Sequence, residues 1–248
     1  MRTIKKVASH IFIDGFGGMT QGLFATLIIG TMIQQIGLLI GGSTGNVIYL
    51  LGKAAAALTS AGIGVGVAVK YGESPLVTVS AVVAAMVGGY AGKITGGTFF
   101  VDGNAVLAGP GEPLGAFIAA FAGITCGHLV SGKTKVDIIV TPVITIGAGS
   151  VVGLLVGPPI SQMMTGLGSI INWATEQRPF IMGIVVSVVM GMVLTLPISS
   201  AALGIILNLS GLAAGAATIG CCCNMVGFAV ASYRENKFGG LVAQGLGT

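Results

Sequence analysis

Charge is what this chain lacks. Of its 248 residues, 11 are Lys or Arg and 7 are Asp or Glu, 7% in all, where a soluble domain draws about a quarter of its residues from those four types. So few charges cannot wet a water-facing surface. With 54% apolar residues and a mean hydropathy of +0.99, most of the outer surface faces lipid, and the chain is an all-α polytopic membrane protein. Cysteine is also scarce, with 4 residues and no CxxC pair. Cys221, Cys222 and Cys223 are consecutive, and neighbours on a helix point about 100° apart, so they do not close a tetrahedral site. With Cys126 alone elsewhere, no metal is expected, and the thiols read as small packing residues. Nothing in the sequence calls for a cofactor or for nucleic acid.

No cleavable leader is expected either. Met1 to His10 is basic, but the apolar run after it is of full span length and no small-residue cleavage site closes it. Ile4, Val7 and Ile11 recur at helical spacing, so residues 1–15 read as an amphipathic segment on the cytoplasmic leaflet.

What the chain has is long apolar runs. A spanning helix takes roughly 20 mostly apolar residues, and windows of that kind run from Met19 to Ile40, Asn46 to Val69, Pro75 to Gly92, Pro113 to Ser131, Asp137 to Gly157, Pro179 to Leu196 and Leu209 to Tyr233. Pro158 to Gln177 is half polar, and either lies on the surface or makes a poor crossing. The expectation is one membrane-embedded domain over residues 1–248, with about seven to eight spanning helices and re-entrant or broken segments. The positive-inside rule places Lys5, Lys6, Lys70, Lys133 and Lys135 in the cytoplasm, with the N-terminus, and Arg234 and Lys237 should join them. That requires Pro158 to Gln177 to cross, or a later segment to re-enter.

Glycine is abundant, at 43 residues. Small-xxx-small spacings at Gly37/Gly41, Gly62/Gly66, Gly88/Gly92/Gly96, Gly149/Gly153/Gly157 and Gly211/Gly215 predict close helix packing. Two stretches combine glycine or proline with polar groups. In Thr98 to Pro113, Asp102, Asn104 and Glu112 sit among Gly103, Gly109, Pro110, Gly111 and Pro113, so a loop or re-entrant segment is expected. In Thr195 to Ser200, Pro197 frees carbonyls beside Ser199 and Ser200, a broken-helix pattern that forms substrate sites in transporters. Laying Gly22 to Val69 on Gly183 to Val230, an offset of 161, aligns Gly22/Gly183, Gly30/Gly191 and Gly66/Gly227, which suggests an internal repeat.

Two motifs lose to their context. Gly127 to Thr134 fits the P-loop pattern but ends a membrane span with no α/β domain around it, so a basic cytoplasmic loop is the better reading. His128 stands near the same end, and a lone histidine more often satisfies a carbonyl than titrates in a mechanism. Asn172, Trp173, Glu176 and Gln177 cluster beside a span entrance. Amides and a carboxylate exchange hydrogen bonds with hydroxyls and an indole stacks on a sugar ring, but an interfacial tryptophan with a Glu176/Arg178 pair explains the cluster equally.

The runs VDGNAVLAGPGEPLGAF (Val101 to Phe117), TLPISSAALG (Thr195 to Gly204) and CCCNMVGFAVASYRENKFGGLVAQGLGT (Cys221 to Thr248) resemble the stand-alone membrane permeases of the bacterial phosphotransferase system, the second enzyme IIC family, which includes toxin-regulator members. The resemblance covers nearly the whole chain, and family members continue past the equivalent of Thr248, so a C-terminal truncation is expected. It implies a plasma-membrane permease, commonly dimeric, that binds a sugar or polyol and presents it to a cytoplasmic IIB partner carrying the phosphocysteine. Phosphoryl chemistry would then reside on IIB, and a permease glutamate would orient or deprotonate the accepted hydroxyl. Glu112 and Glu176 are the candidates, with Asp102, Asn104, Asn172, Trp173, Gln177, Ser199 and Ser200 as substrate-binding candidates. An ion-coupled secondary transporter, or a membrane regulator without transport, are the alternatives. Asp14, Glu73, Asp137 and Glu235 read as helix-boundary residues.

Overall fold

The computed structural model describes residues 14–107, 109–194, 204, 207 and 209–246. The TLPISS segment with Ser199 and Ser200, and the basic N-terminal segment with His10, lie outside them. The chain divides into two units, Met1–Met163 and Met164–Thr248. Both are built almost wholly of helix, the one open structure that satisfies every backbone group inside lipid.

Unit one begins with α1 (Phe16–Leu23), a π-helical turn (Phe24–Ile28) and α2 (Ile29–Ile40), together one apolar stretch of 25 residues. Gly41 and Gly42, at φ 65° and 64°, reverse the chain. That left-handed region is open to glycine at no steric cost. α3 (Gly42–Ala57) returns along α2, and α4 (Thr59–Lys70) follows after a bend of 53° at Leu58. The expected single span from Asn46 to Val69 is therefore broken in its middle. Side chains make the break affordable: the Thr59 hydroxyl donates to the Ala56 carbonyl at 2.6 Å, taking over an acceptor that an amide would otherwise serve.

α5 (Pro75–Gly89) starts with proline at its first position and a Ser74 cap whose oxygen accepts from the Val77 amide at 3.4 Å. α6 (Ala91–Thr95) follows after a second break at Tyr90. The chain then forms a small hairpin, β1 (Phe100–Val101) paired antiparallel with β2 (Asn104–Ala105). Its two-residue turn is Asp102-Gly103, both at positive φ (51° and 77°). An Asp-Gly pair is the usual sign of such a turn. Thr98 to Pro113 is thus a hairpin followed by a short loop, a finer arrangement than the loop or re-entrant segment expected. α7 (Pro113–Val130) and α8 (Asp137–Gln177) come next.

Glycine decides how these helices meet. A methyl group added at Gly18 would lie 2.6 Å from the Gly66 carbonyl oxygen, and one at Gly22 would run into Gly62, so α1 and α4 touch backbone to backbone. Gly30 meets Gly52 and Ala56, and Gly37 meets Gly45 and Tyr49, along the α2–α3 hairpin. Gly88 of α5 touches Gly115 and Ala119 of α7, while Gly149, Gly153 and Gly157 of α8 rest on Ala84, Ala119, Gly88 and Ala91. Packing of this kind replaces the missing hydrophobic drive between helices in lipid. Among the described residues a methyl group at Gly92 or Gly215 would meet nothing within 4 Å, so neither of these two glycines marks a close helix contact there.

Unit two holds the end of α8, then α9 (Pro179–Val193), α10 (Gly211–Ala231) and α11 (Tyr233–Leu246), which is kinked at Lys237 (φ 52°). Val186, Met190 and Ala217 form its small core, with Ile171 and Leu209 packed on it. The Ser187 hydroxyl donates to the Ala216 carbonyl at 2.7 Å, pinning α9 to α10. The packing does not repeat that of unit one. Gly22 is wedged on Gly62, yet its aligned partner Gly183 has nothing within 4 Å; Gly30 meets Gly52 and Ala56, whereas Gly191 meets Gly220, which aligns with Thr59.

Among the described residues, Phe16–Ile40, Pro113–Val130, Asp137–Gln177 and Gly211–Ala231 are long and apolar enough to cross a membrane, and the bent pair of α3 and α4 makes up to 5. The count falls short of seven to eight for two reasons. α5 and α9 have only 15 residues each, and the fifth window joins the half-polar stretch after it. α8 carries Pro142, Pro158 and Pro159 inside one helix of 41 residues. That is roughly 60 Å of axis, twice the hydrocarbon thickness.

Candidate functional site

In unit one, three interruptions of helix come together. The first is the bend at Leu58, the second the break at Tyr90, and the third the loop from Gly109 to Glu112 that leads into α7. Tyr90 is 1% exposed, and Thr59 and Ser60 are fully buried. The Tyr90 hydroxyl lies between two carbonyl oxygens, Gly109 at 2.5 Å and Ala57 at 3.2 Å, and its single proton serves the nearer. The Ser60 hydroxyl donates to the Pro110 carbonyl at 3.0 Å. The Glu112 amide donates to the Gly89 carbonyl, freed by the second break, at 2.7 Å. The Gly109, Pro110 and Gly89 carbonyls thus each find a donor from another interruption.

Gly111 is fixed by this arrangement. It adopts φ 76°, and a methyl group there would press on Ser60 and lie 3.1 Å from the Gly89 oxygen. Glu112 is half-buried and caps α7: its carboxylate accepts from the Leu114 amide at 3.1 Å and from the Gly115 amide. Capping by a carboxylate at a helix start is favourable in itself. Burial pushes the Glu112 carboxyl above its ordinary value, and the two amide hydrogen bonds pull it part of the way back. The aromatic rings of Tyr90 and Phe99 pack with centroids 5.3 Å apart, with the Lys93 ammonium 5.4 Å from the Tyr90 ring centre.

The cluster sits toward one end of the unit. Leu58 precedes Lys70 by 12 residues and Tyr90 follows Pro75 by 15, while α7 runs 18 residues from Glu112 to Val130. At 1.5 Å per residue these are paths of roughly 18 to 27 Å, within or at the edge of a hydrocarbon core about 30 Å thick. Non-helical backbone at such depth persists only where protein buries it or where it lines a water-filled cavity.

The opposite end carries Lys70, Lys133 and Lys135. There the Ser74 and Ser131 hydroxyls meet at 3.0 Å and His128 Nδ1 lies 3.0 Å from Glu73. His128 and Glu73 were expected as a lone histidine and a plain boundary residue, and the structure makes them a pair. The His128 side chain is 71% exposed, so the pair contributes at most about 1 kcal/mol. They line a recess of about 220 Å³ with Tyr71, Ile124, Thr125 and Leu129. The P-loop-like stretch is not a phosphate cradle: the Gly132 amide donates to Asp137 Oδ1 at 2.9 Å, and the Lys133 ammonium folds back on the Leu129 carbonyl at 2.8 Å.

Among the described residues picked from sequence, only Glu112 belongs to the cluster of interruptions; Ser199 and Ser200 lie outside the described residues. Asp102 and Asn104 are exposed on the hairpin, where the Asn104 amide donates to the Asp102 carbonyl at 3.3 Å. Asn172, Trp173, Glu176 and Gln177 occupy the last turns of α8 in unit two. Asn172 Oδ1 accepts from the Ser210 amide at 3.1 Å, and Trp173 is 63% exposed. An apolar groove of about 520 Å³ opens in that unit between Thr175, Phe180, Ile184, Ser187, Gly211 and Ala216, and none of those four predicted residues lines it. Ser60, Thr59 and Tyr90 were missed by sequence reading. Their signal was a hydroxyl beside an Ala-rich run and a tyrosine directly after Gly88-Gly89, each at a place where a helix stops. Among the described residues no group of three His, Cys, Asp or Glu could hold a metal, and the four cysteines are free thiols.

No curated protein and no solved structure matches the chain. The family described as "Phosphotransferase system, EIIC" matches residues 13–248, nearly the whole length. Apolar helices, a broken span and this match agree: the chain is a multi-pass plasma-membrane protein that belongs to the phosphotransferase-system EIIC family, a sugar-transporting component of that system.

Proposed function

We propose that this protein is the permease component that takes up a sugar or polyol and presents it to a cytoplasmic IIB phosphocarrier, with Glu112 as the acid at its substrate site. The observation that carries this reading is the meeting of three helix interruptions around Tyr90, Ser60 and Glu112, because irregular backbone at membrane depth is where transporters place their substrates. The transfer step requires the Glu112 site to open toward the cytoplasmic Lys70 and Lys133 end; there the sugar hydroxyl attacks phosphorus on the IIB phosphocysteine. The P–S bond breaks, the P–O bond forms, the thiolate leaves on IIB, and the hydroxyl proton passes to the Glu112 carboxylate. A half-buried carboxyl raised above its usual value is suited to hold that proton. Glu176, with Asn172, Trp173 and Gln177, forms the second candidate set. Asp102 and Asn104 on the hairpin stand beside the loop that leads to Glu112, and Ser199 and Ser200 complete the proposed contacts. The N-terminus and the Lys70 and Lys133 ends are placed in the cytoplasm by the positive-inside rule, and a homodimer is the proposed assembly.

The test is a thermal-shift screen of hexoses, pentoses and hexitols against purified protein, repeated with Glu112→Gln and Glu176→Gln. A solute that stabilises the wild type but not Glu112→Gln supports the site. Undiminished binding and uptake in both variants refutes it.

A further inference from the structure

Between Asp14 and Lys70 the chain carries one charge, Lys53. It sits in α3, 11 residues after Gly42 and 17 before Lys70, about 16 Å and 25 Å of helix from either end. Its side chain is exposed, and among the described residues no hydrogen bond or ion pair reaches it. The lipid-facing surface does not stop there: Ile36, Leu38, Leu39, Ile40 and Val47 remain exposed beyond it toward the Gly41 turn. A lysine stem spans only a few ångströms, so snorkelling past two further turns is out of reach. An ammonium left in hydrocarbon is costly, and such charges face a water-filled cavity or a partner.

The rest of α3 says which. Gly45, Gly52 and Ala56 are buried, the first two directly against α2. Val47, Leu51, Ala54 and Leu58 form an exposed apolar stripe. Ser43, Asn46, Leu50, Lys53 and Ala57 form a second stripe at helical spacing, three of its five residues polar, its first four exposed. It ends at Ala57, whose carbonyl oxygen lies 3.2 Å from the Tyr90 hydroxyl. A polar stripe beside an apolar one, ending at the cluster of interruptions, is the pattern of a helix with lipid on one side and water on the next.

We infer that the stripe Ser43, Asn46, Leu50, Lys53 and Ala57 lines a water-filled path to the Glu112 site, and that the Lys53 ammonium favours hydroxylated or anionic solutes there and repels inorganic cations. The path rests on the permease reading for its purpose, but its existence is testable without any sugar. In a chain with its four native cysteines replaced by serine, single cysteines are introduced by Asn46→Cys, Val47→Cys, Leu51→Cys and Lys53→Cys and exposed in intact membranes to charged methanethiosulfonates. The expected result is labelling at positions 46 and 53 and none at 47 and 51. With Lys53 present, the cysteine at 46 reacts several-fold faster with the anionic sulfonate reagent than with the trimethylammonium one, relative to free cysteine. Lys53→Gln abolishes that preference. Labelling that ignores the stripe, or leaves 46 and 53 unreactive, overturns the inference. A charge preference untouched by Lys53→Gln removes the role of the ammonium. If the stripe labels as expected while Glu112→Gln still binds sugar, the site assignment fails and the path stands.

Discussion

Replacing Tyr90 with phenylalanine isolates the hydroxyl that joins the three interruptions. The ring keeps its contact with Phe99, centroids 5.3 Å apart, and no cavity larger than a hydroxyl opens. What is lost is the donor to Gly109, with Ala57 close behind at 3.2 Å. The tyrosine side chain is 1% exposed, but Gly109 is exposed and Ala57 half-buried, so water takes over part of what the hydroxyl served. A hydrogen bond of this kind contributes about 0.5 to 1.5 kcal/mol net, and in a chain of this size each kcal/mol lowers the melting temperature by about 2 to 4 °C. The expected drop is therefore about 1 to 6 °C, read as loss of the monodisperse chromatographic peak after heating detergent-solubilised protein. A second readout localises it: the Glu112 amide, which donates to Gly89 at 2.7 Å, should exchange its hydrogen faster once the loop is released. An unchanged melting temperature together with unchanged exchange at Glu112 would refute the claim that this hydroxyl holds the loop against the helix breaks.

The glycine contacts and the capping acid give two further outcomes. Gly22→Ala should destabilise, because its methyl group meets the Gly62 backbone, whereas Gly183→Ala, with nothing within 4 Å, should be neutral or gain up to about 1 kcal/mol of helix propensity; paired melting curves decide, and equal effects would sink the packing argument. For Glu112, burial raises the folded-state value, so the fold favours the protonated acid. The stabilisation is complete below the ordinary unfolded value near 4.3 and is lost as pH rises through the folded one. Melting temperature measured against pH should thus fall above about pH 4 more steeply in the wild type than in Glu112→Gln, and parallel curves would contradict the burial.

How much of this was legible beforehand follows from what each signal measures. Hydropathy windows report how long the chain stays apolar, and they found α1 with α2, α7 and α10 because those helices are both apolar and unbroken. They were blind to the bend at Leu58, where the residues on both sides are apolar and the Thr59 hydroxyl serves the Ala56 carbonyl. They were equally blind to continuity, since Pro158 and Pro159 mark a boundary by rule yet lie inside α8. Glu112 was legible because a carboxylate between glycines and prolines cannot be an ordinary helix residue. Its partners Ser60 and Tyr90 were not, because they come from segments 52 and 22 residues away and only folding brings them to one place. The scarcity of charge was the most reliable guide, and it held one more clue than the boundary residues used up. Lys53 breaks no pattern of length or proline, but a lone ammonium in 55 residues between Asp14 and Lys70 has to be solvated. The face that carries it is therefore the part of α3 that lipid does not cover.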